Sequence, residues 1–130
     1  MTPENPLAAL RAAAEAVRHQ LQLNSYDEAA VQRLAEFIET QRPTIREADR
    51  EGVVKALGCF LGQCLVDTYQ GTWAAGPDGT TGVGINGNQF LNPFYRVSQQ
   101  LAQGTKESVA DFFASVPARL AAEPRRKTWI

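Results

Sequence analysis

The sequence has no excess of charge of either sign: 13 Lys and Arg stand against 14 Asp and Glu, and the net charge is -1. This balance argues against a nucleic-acid-binding protein that depends on bulk positive charge, and against attachment to an anionic membrane. The sequence also lacks an apolar run of about 18 residues, as a membrane-spanning helix requires. Met1 to Asn5 carry no basic residue of the kind that begins a secretory signal peptide. We therefore expect a cytoplasmic protein with no nucleic-acid and no membrane partner.

Cysteine and histidine are scarce: the chain has Cys59, Cys64 and one histidine, His19. The two cysteines are five residues apart in a predicted helix, so their side chains point about 140° apart and do not favour a disulfide. One histidine and two cysteines cannot supply the usual four ligands of a structural zinc site. His19 lies on a predicted surface face, where it gives no nucleophile a base. We expect free buried thiols, no metal, no cofactor and no catalytic residues, which leaves enzyme activity doubtful.

Length and composition predict a single domain over residues 1–130. A chain of 130 residues can bury a core that needs no disulfide or metal to support it. Hydrophobic residues make up 44% and charged residues 21% of the sequence, as in globular rather than disordered proteins. Within this domain we assign residues 1–24 to an N-terminal amphipathic helix and residues 118–130 to a basic tail.

Apolar residues at spacings of three and four predict two amphipathic helices in the first third of the chain. The first covers residues 7–22. The second follows Ser25, which we expect to be its N-cap with Glu28 as the capping-box partner. It ends before Pro43, because the residue ahead of a proline disfavours the helical conformation.

Three further helices are predicted in the rest of the chain. The most apolar segment, about residues 51–69, has hydrophobic side chains around most of its circumference and is therefore expected to be the central helix. Asn92 as N-cap and Pro93 at the first helical position begin the next helix. Thr105 begins the last helix, which is expected to end before Pro117.

Two features mark the middle of the chain as core, or as core plus a contact surface. Gly58 and Gly62 lie on one face of the central helix. Each glycine lowers the stability of a helix by up to about 1 kcal/mol relative to alanine. Two of them on one face indicate that another backbone passes close by. Charge is sparse from residue 56 to residue 104, where the only charged side chains are Asp67, Asp78 and Arg96.

A small antiparallel sheet is predicted after the central helix. Residues 76–79 form a Gly-Pro-Asp-Gly turn signal, and residues 81–85 then alternate as in a strand with one buried face. Asn86-Gly87 is a type I′ hairpin signal, and residues 89–91 are a candidate third strand. The sequence therefore predicts an α+β fold: about five helices around a central apolar helix, with an antiparallel meander of two or three strands.

The glycines of this sheet also match the dinucleotide-binding pattern G-x-G-x-x-G, at Gly82, Gly84 and Gly87. That pattern works when the glycines follow a strand and open a helix that receives the pyrophosphate. Here they lie inside an alternating strand and a hairpin turn, and no helix begins before Asn92. We do not expect a nucleotide site.

Asp67, the one acidic residue of the apolar part of the central helix, is the first candidate site residue. In the expected fold Tyr69, Trp73, Asn92 and Arg96 lie near it, and a carboxylate among aromatic rings can anchor a ligand. The alternative is structural: Asp67 and Arg96 form a buried ion pair that compensates both charges. The structural interpretation is favoured, and these five residues remain the predicted ligand-binding set.

Three short motifs occur in the second half of the chain: Leu57-Gly58-x-x-Leu61-Gly62, Gly71-Thr72-Trp73 and Asn92-Pro93-Phe94-x-x-Val97. Together they resemble a group of small bacterial proteins of unknown function. That group shares an L-G-x-x-L-G helix, a G-x-W strand and an N-P-F-x-x-V helix start. The likeness spans about residues 53–113. It implies a bacterial source and no particular activity.

The leading functional hypothesis is a non-enzymatic interaction module that docks a protein partner or a second copy of itself. A hairpin poor in charge and rich in glycine and asparagine suits a recognition surface. The alternative is a small-molecule-binding protein or small enzyme with a pocket between the hairpin and the central helix.

Overall fold

The computed structural model describes residues 6–75, 80–85, 89–121 and 128–129, which form five α-helices, one 3₁₀ turn and four strands. The helices are α1 (Pro6–Gln20), α2 (Glu28–Gln41), α3 (Glu47–Tyr69), α4 (Pro93–Gln103) and α5 (Val109–Ala121), and the 3₁₀ turn (Gly104–Glu107) joins the last two. The strands are β1 (Thr72–Ala75), β2 (Thr81–Ile85), β3 (Gln89–Leu91) and β4 (Thr128–Trp129). The predicted α+β class, with five helices and a small antiparallel meander, is confirmed.

Helix α3 is the centre of the fold, as its apolar circumference predicts. Residues 57–65 are all buried, and the helix packs against α1, α2, α4, β1 and β2. It begins at Glu47, four residues before the predicted start at residue 51. Glu47 and Asp49 place negative charge in its first turn, which suits a helix N-terminus, and Arg46 Nε donates a 2.9 Å hydrogen bond to Asp49.

The N-terminus of α2 differs from the prediction, because Asp27 and not Ser25 is the N-cap. The Asp27 carboxylate accepts a 3.0 Å hydrogen bond from the backbone N–H of Ala30. Ser25 supports this N-cap indirectly, because its hydroxyl donates a 2.8 Å hydrogen bond to the Asp27 carboxylate. The Ala30 bond, and then the Ser25 bond, lower the pKa of Asp27. The predicted N-cap is therefore two residues too early in the sequence.

The two helix glycines face aromatic rings, not the second backbone that the sequence predicts. A Cβ at Gly58 would overlap the ring of Phe94, and a Cβ at Gly62 would overlap the ring of Trp73. The two rings lie side by side, with centroids 6.2 Å apart. Gly58 and Gly62 therefore form two notches in α3, each filled by one ring.

These contacts join the three motifs of the resemblance in one place. The L-G-x-x-L-G motif supplies both notches, the G-x-W motif supplies Trp73, and the N-P-F-x-x-V motif supplies Phe94. Overpacking a close contact of this kind is costly, so each motif constrains the others. The three motifs of this chain are therefore in direct contact in the fold.

The sheet has strand order β1-β2-β3-β4, with the first three strands antiparallel and β4 parallel to β3. Trp73, Val83 and Leu91 are opposite one another in the register and face α3. Ile85 pairs with Gln89, which leaves three residues between them, whereas a two-residue type I′ turn would pair Ile85 with the residue before Gln89. The predicted turns at residues 76–79 and 86–87 lie outside the described residues.

Gly82 and Gly84 lie inside β2 and do not open a helix. A Cβ at Gly84 would lie 3.4 Å from the ring of Phe90, its partner on β3, so that ring lies across the strand. Gly87, the third glycine of the pattern, is outside the described residues. Gly84 thus serves packing within the sheet.

The C-terminal prediction is wrong, because α5 does not end before Pro117 and residues 118–130 are not simply a basic tail. Helix α5 continues through Pro117 to Ala121, and Thr128–Trp129 forms β4. A proline inside a helix leaves the carbonyl four residues earlier without its N–H donor. That carbonyl belongs to Phe113, and it accepts a 2.8 Å hydrogen bond from the Tyr69 hydroxyl. Tyr69 therefore compensates for Pro117.

The core lies between α3, the other helices and the inner face of the sheet. Its largest fully buried apolar side chains are Phe60, Phe113, Leu34, Ile38, Leu61, Leu65 and Leu91. Among the helices of the described ranges, none is both long and apolar enough to cross a membrane.

Candidate functional site

Asp67 and Trp73, two of the predicted site residues, are linked through a residue that the sequence did not single out. The amide nitrogen of Gln63 donates a 2.9 Å hydrogen bond to the exposed Asp67 carboxylate. The amide oxygen of Gln63 accepts a 3.2 Å hydrogen bond from the Trp73 indole. Gln63 is buried, and its two hydrogen bonds hold the Trp73 ring in the Gly62 notch. These contacts position Trp73 in the fold.

The polar side-chain groups of Tyr69 and Asn92 form hydrogen bonds with backbone groups of the fold. The Tyr69 hydroxyl bonds the Phe113 carbonyl, the two rings lie 4.9 Å apart, and burial raises the pKa of Tyr69. The side chain of Asn92 accepts a 3.0 Å hydrogen bond from the N–H of Tyr95, so Asn92 is the predicted N-cap of α4. Both side chains have a structural use in the fold.

The predicted ion pair between Asp67 and Arg96 is not formed. Asp67 is exposed and bonded to Gln63, whereas the guanidinium of Arg96 lies 4.4 Å from the centre of the Phe112 ring of α5. The prediction was wrong because it placed the α4 side chain against α3, while Arg96 extends toward α5. Of the five predicted residues, Arg96 lines the groove that we take as the candidate site, and the other four do not.

This groove lies between α4, the 3₁₀ turn and α5, and we call it the α4–α5 groove. Its volume is about 200 Å³. It is lined by Arg96, Lys106, Glu107, Ser108, Asp111, Phe112, Ser115 and Arg119. Charged side chains make up more than half of this lining, in contrast to the sparse charge of the middle of the chain.

Two arginines share one aromatic ring in the α4–α5 groove. Arg96 approaches the ring of Phe112 to 4.4 Å and Arg119 approaches it to 5.8 Å, both within the range of cation–π attraction. Ser115 holds Arg119 in place: its hydroxyl accepts a 2.8 Å hydrogen bond from Arg119 Nε and donates a 2.7 Å bond to the Phe112 carbonyl. The arrangement holds two positive charges near one wall of the groove.

Arg96 is the least compensated charge of this site. Its Nε atom is buried and has no hydrogen-bond partner. The groove also contains Glu107 and Asp111, but among its lining residues, all of which the structure describes, no ion pair joins an acid to a base. Burial, and then the charge of Arg119, lower the pKa of Arg96, and Tyr95 and Glu107 only partly oppose them. An anion in the groove would stabilise the charged guanidinium.

Seven of the eight groove residues are not among the predicted site residues: Lys106, Glu107, Ser108, Asp111, Phe112, Ser115 and Arg119. A usable signal was present, because Phe112, Ser115 and Arg119 are spaced by three and four residues and so share one helical face. It was missed because the helix was expected to end before Pro117, which assigned Arg119 to a tail.

The two cysteines lie on α3, and the one histidine lies on α1. Cys59 and Cys64 are free and buried, as predicted, and burial raises the pKa of both thiols. His19 is exposed on α1, 3.5 Å from the carboxylate of Glu15. Within the described ranges, no group of three His, Cys, Asp or Glu residues is arranged to hold a metal ion. In the groove, Ser115 donates its proton to the Phe112 carbonyl and not to a base.

The α4–α5 groove therefore presents cationic side chains that form no ion pair with its acids, and its Ser115 hydroxyl is bonded to a carbonyl and not to a base. The chain matches no protein-family model, no curated protein and no solved structure. The resemblance to small bacterial proteins stays a prediction, and the geometry of the groove carries the functional inference.

Proposed function

We propose that the protein is a non-enzymatic interaction module that binds an anionic group of a partner protein in the α4–α5 groove. The observation that carries the proposal is Arg96, a partly buried guanidinium with an unpartnered Nε and no ion pair to the acids beside it. A charge that is already desolvated gains more from an anion than a fully hydrated one, because the local dielectric is lower. Phe112 and Arg119 hold the site in shape.

The size of the groove favours part of a polymer over a free metabolite. Small-molecule sites commonly enclose about 300–1,000 Å³. The α4–α5 groove, at about 200 Å³, is smaller than this and fits one side chain of a partner. The alternative of a pocket between the hairpin and the central helix has less support, because Tyr69 and Asn92 of that set are engaged in the fold.

Binding of short labelled peptides tests the proposal. We expect acidic peptides, carrying either glutamate or phosphoserine, to bind more tightly than glutamine or lysine peptides of the same length, as measured by fluorescence polarisation. Arg96→Gln should weaken acidic-peptide binding about tenfold, since a hydrogen bond to a charged group is lost. Arg11→Gln is the matched control, because Arg11 is exposed on α1 and does not line the groove. Equal binding of the glutamine peptide, or equal weakening by Arg11→Gln, would overturn the proposal.

A further inference from the structure

We infer that the outer face of α4, which carries Tyr95, Gln99 and Ala102, belongs to the same docking surface as the α4–α5 groove. On this surface Tyr95 contacts an apolar side chain of the partner, two residues away from the residue whose anionic group enters the groove. This inference rests on the proposed function and adds the kind of segment that the partner presents.

Helix α4 has no exposed charged side chain, whereas every other α-helix of the described ranges has some. Its one charged residue, Arg96, is half-buried and lines the groove. Tyr95, Gln99 and Ala102 are spaced by four and three residues, so they share one face of the helix. A partner can cover this face without removing a charge from water, and the centres of protein–protein interfaces are depleted of charge in the same way.

Tyr95 is the largest side chain of this face, and 52% of it is exposed. Among the described residues, no other large hydrophobic side chain is exposed. Single exposed apolar side chains occur on many protein surfaces, so exposure alone does not identify a site. Tyr95 differs from such a case because it lies against an arginine, and tyrosine and arginine are two of the residue types in which the binding energy of interfaces is concentrated.

The ring of Tyr95 borders the α4–α5 groove. Neighbouring residues of a helix diverge by about 100° and do not normally face each other. The guanidinium carbon of Arg96 nevertheless lies 5.7 Å from the centre of the Tyr95 ring, as well as 4.4 Å from the centre of the Phe112 ring. Arg96 is thus close to two rings, of which Phe112 is buried and Tyr95 is open to solvent.

The distance from the ring to the guanidinium is close to the spacing of alternate residues in an extended peptide. Such residues point the same way and lie about 6.5 Å apart along the chain. A segment that places an anionic group on Arg96 therefore brings the side chain two residues away over Tyr95. The first group is anionic because three basic side chains line the groove against two acidic ones, and the second is apolar because the α4 face offers a ring and no charge.

The experiment compares blocked peptides that have an anionic residue at the centre and either leucine or serine two positions away on both sides. Glycines fill the other positions, and leucine on both sides makes the result independent of the direction in which the peptide binds. Each pair is made with glutamate and with phosphoserine at the centre, and binding to the whole chain is followed by fluorescence polarisation. We expect the leucine peptide to bind about fivefold more tightly than the serine peptide, because leucine buries apolar surface against the ring.

Two substitutions at the exposed position 95 form the matched pair of variants. Tyr95→Ser removes the ring and should reduce the gain from leucine to about twofold or less. Tyr95→Phe keeps the ring and should keep the gain. Both leave the N-cap bond of α4, because Asn92 accepts it from the backbone N–H of residue 95. Thermal unfolding curves check that both variants fold.

The outcomes separate this inference from the proposed function. A gain from leucine that Tyr95→Ser removes and Tyr95→Phe keeps supports both. If leucine and serine peptides bind equally, or if the gain survives Tyr95→Ser or is lost in Tyr95→Phe, the inference is wrong while the groove remains the proposed anion site. If neither the glutamate nor the phosphoserine peptide binds more tightly than a peptide with glutamine at the centre, the proposed function is wrong as well.

Discussion

Gly62 and Gly52 lie in the same helix, α3, but differ in what faces them. A Cβ at Gly62 would overlap the Trp73 ring, whereas a Cβ at Gly52 would meet no atom within 4 Å. We expect Gly62→Ala to lower the free energy of unfolding by about 1–3 kcal/mol, because the ring must leave its notch and its bond with Gln63 is strained. Urea denaturation measures this change.

Gly52→Ala is the control for Gly62→Ala, because it makes the same chemical change at an exposed position of the same helix. We expect it to raise the free energy of unfolding by up to about 1 kcal/mol, through helix propensity alone. Opposite signs for the two substitutions would confirm the notch. Stabilisation by both would contradict it.

The hydrogen bond from Tyr69 to the Phe113 carbonyl yields a second prediction at the scale of single residues. Tyr69→Phe leaves that carbonyl buried without a donor, since Pro117 has no N–H to offer, and should cost about 1–3 kcal/mol. In a Pro117→Ala background the helix supplies its own N–H, so the same substitution should cost much less. A double-mutant cycle by urea denaturation tests this coupling. Additive effects would show that Tyr69 does not compensate for Pro117.

At the scale of elements, Glu15 links α1 to the segment that leads into α2. Its carboxylate accepts hydrogen bonds from Arg18 and, at 2.7 Å, from the Tyr26 hydroxyl, and Arg18 also bonds the Leu23 carbonyl at 2.8 Å. The Arg18 bond, and then the Tyr26 bond, lower the pKa of Glu15 from 4.5 to about 2. Because Glu15 is exposed, solvent screens these contacts and their contribution is modest.

The lowered pKa of Glu15 predicts the pH range in which this link stabilises the protein. Its contribution is complete above pH 4.5, the unfolded value, and is lost as the pH falls toward about 2. We expect Glu15→Gln to be less stable than the natural chain at neutral pH, with the difference vanishing near pH 2. Urea denaturation at a series of pH values measures it, with the exposed Glu36→Gln as the control. A difference that is constant with pH would contradict the link.

The elements differ in how well the sequence predicts them, and the reason is whether their determinants are local. Spacing of apolar residues predicts the helices, and the Asn92-Pro93 pair predicts the N-cap of α4, because both depend on neighbouring residues. The end of α5 depends on Tyr69, 44 residues away from Phe113 along the chain, and so could not be predicted from the residues around Pro117. Strand β4 has only two residues, too few to show alternation.

The candidate site was predicted in part for the same reason. Sparse charge drew attention to Asp67 and Arg96, and Arg96 does line the groove. Its actual neighbours, Phe112 and Arg119, come from an element whose end was misplaced, so the prediction paired Arg96 with the nearest charge in the expected fold. An interhelical contact of this kind depends on helix rotation, which the spacing pattern does not fix to the level of single side chains.

At the scale of the whole molecule, part of the charge-poor stretch from residue 56 to residue 104 lies in the core and part lies on the surface. Residues 57–65 and most of β2 and β3 are buried, so their lack of charge follows from the core. Strand β1 is different: Thr72, Ala74 and Ala75 are exposed and uncharged, and among the described strands β1 has a neighbour on one side only. Natural edge strands are often protected by charge, and β1 carries none.

We therefore expect the predicted dimer to form by pairing of β1 from two copies of the chain. Two copies can extend their sheets by antiparallel pairing along the side of β1 that no described strand covers, without bringing like charges together. We expect the natural chain to have a dimeric mass by light scattering at micromolar concentration, and Ala74→Lys to be monomeric, because a lysine on the edge opposes pairing. Ala12→Lys, at an exposed position of α1, should leave the dimer intact. A monomeric mass of the natural chain, or dissociation by both substitutions, would show that β1 does not join two copies.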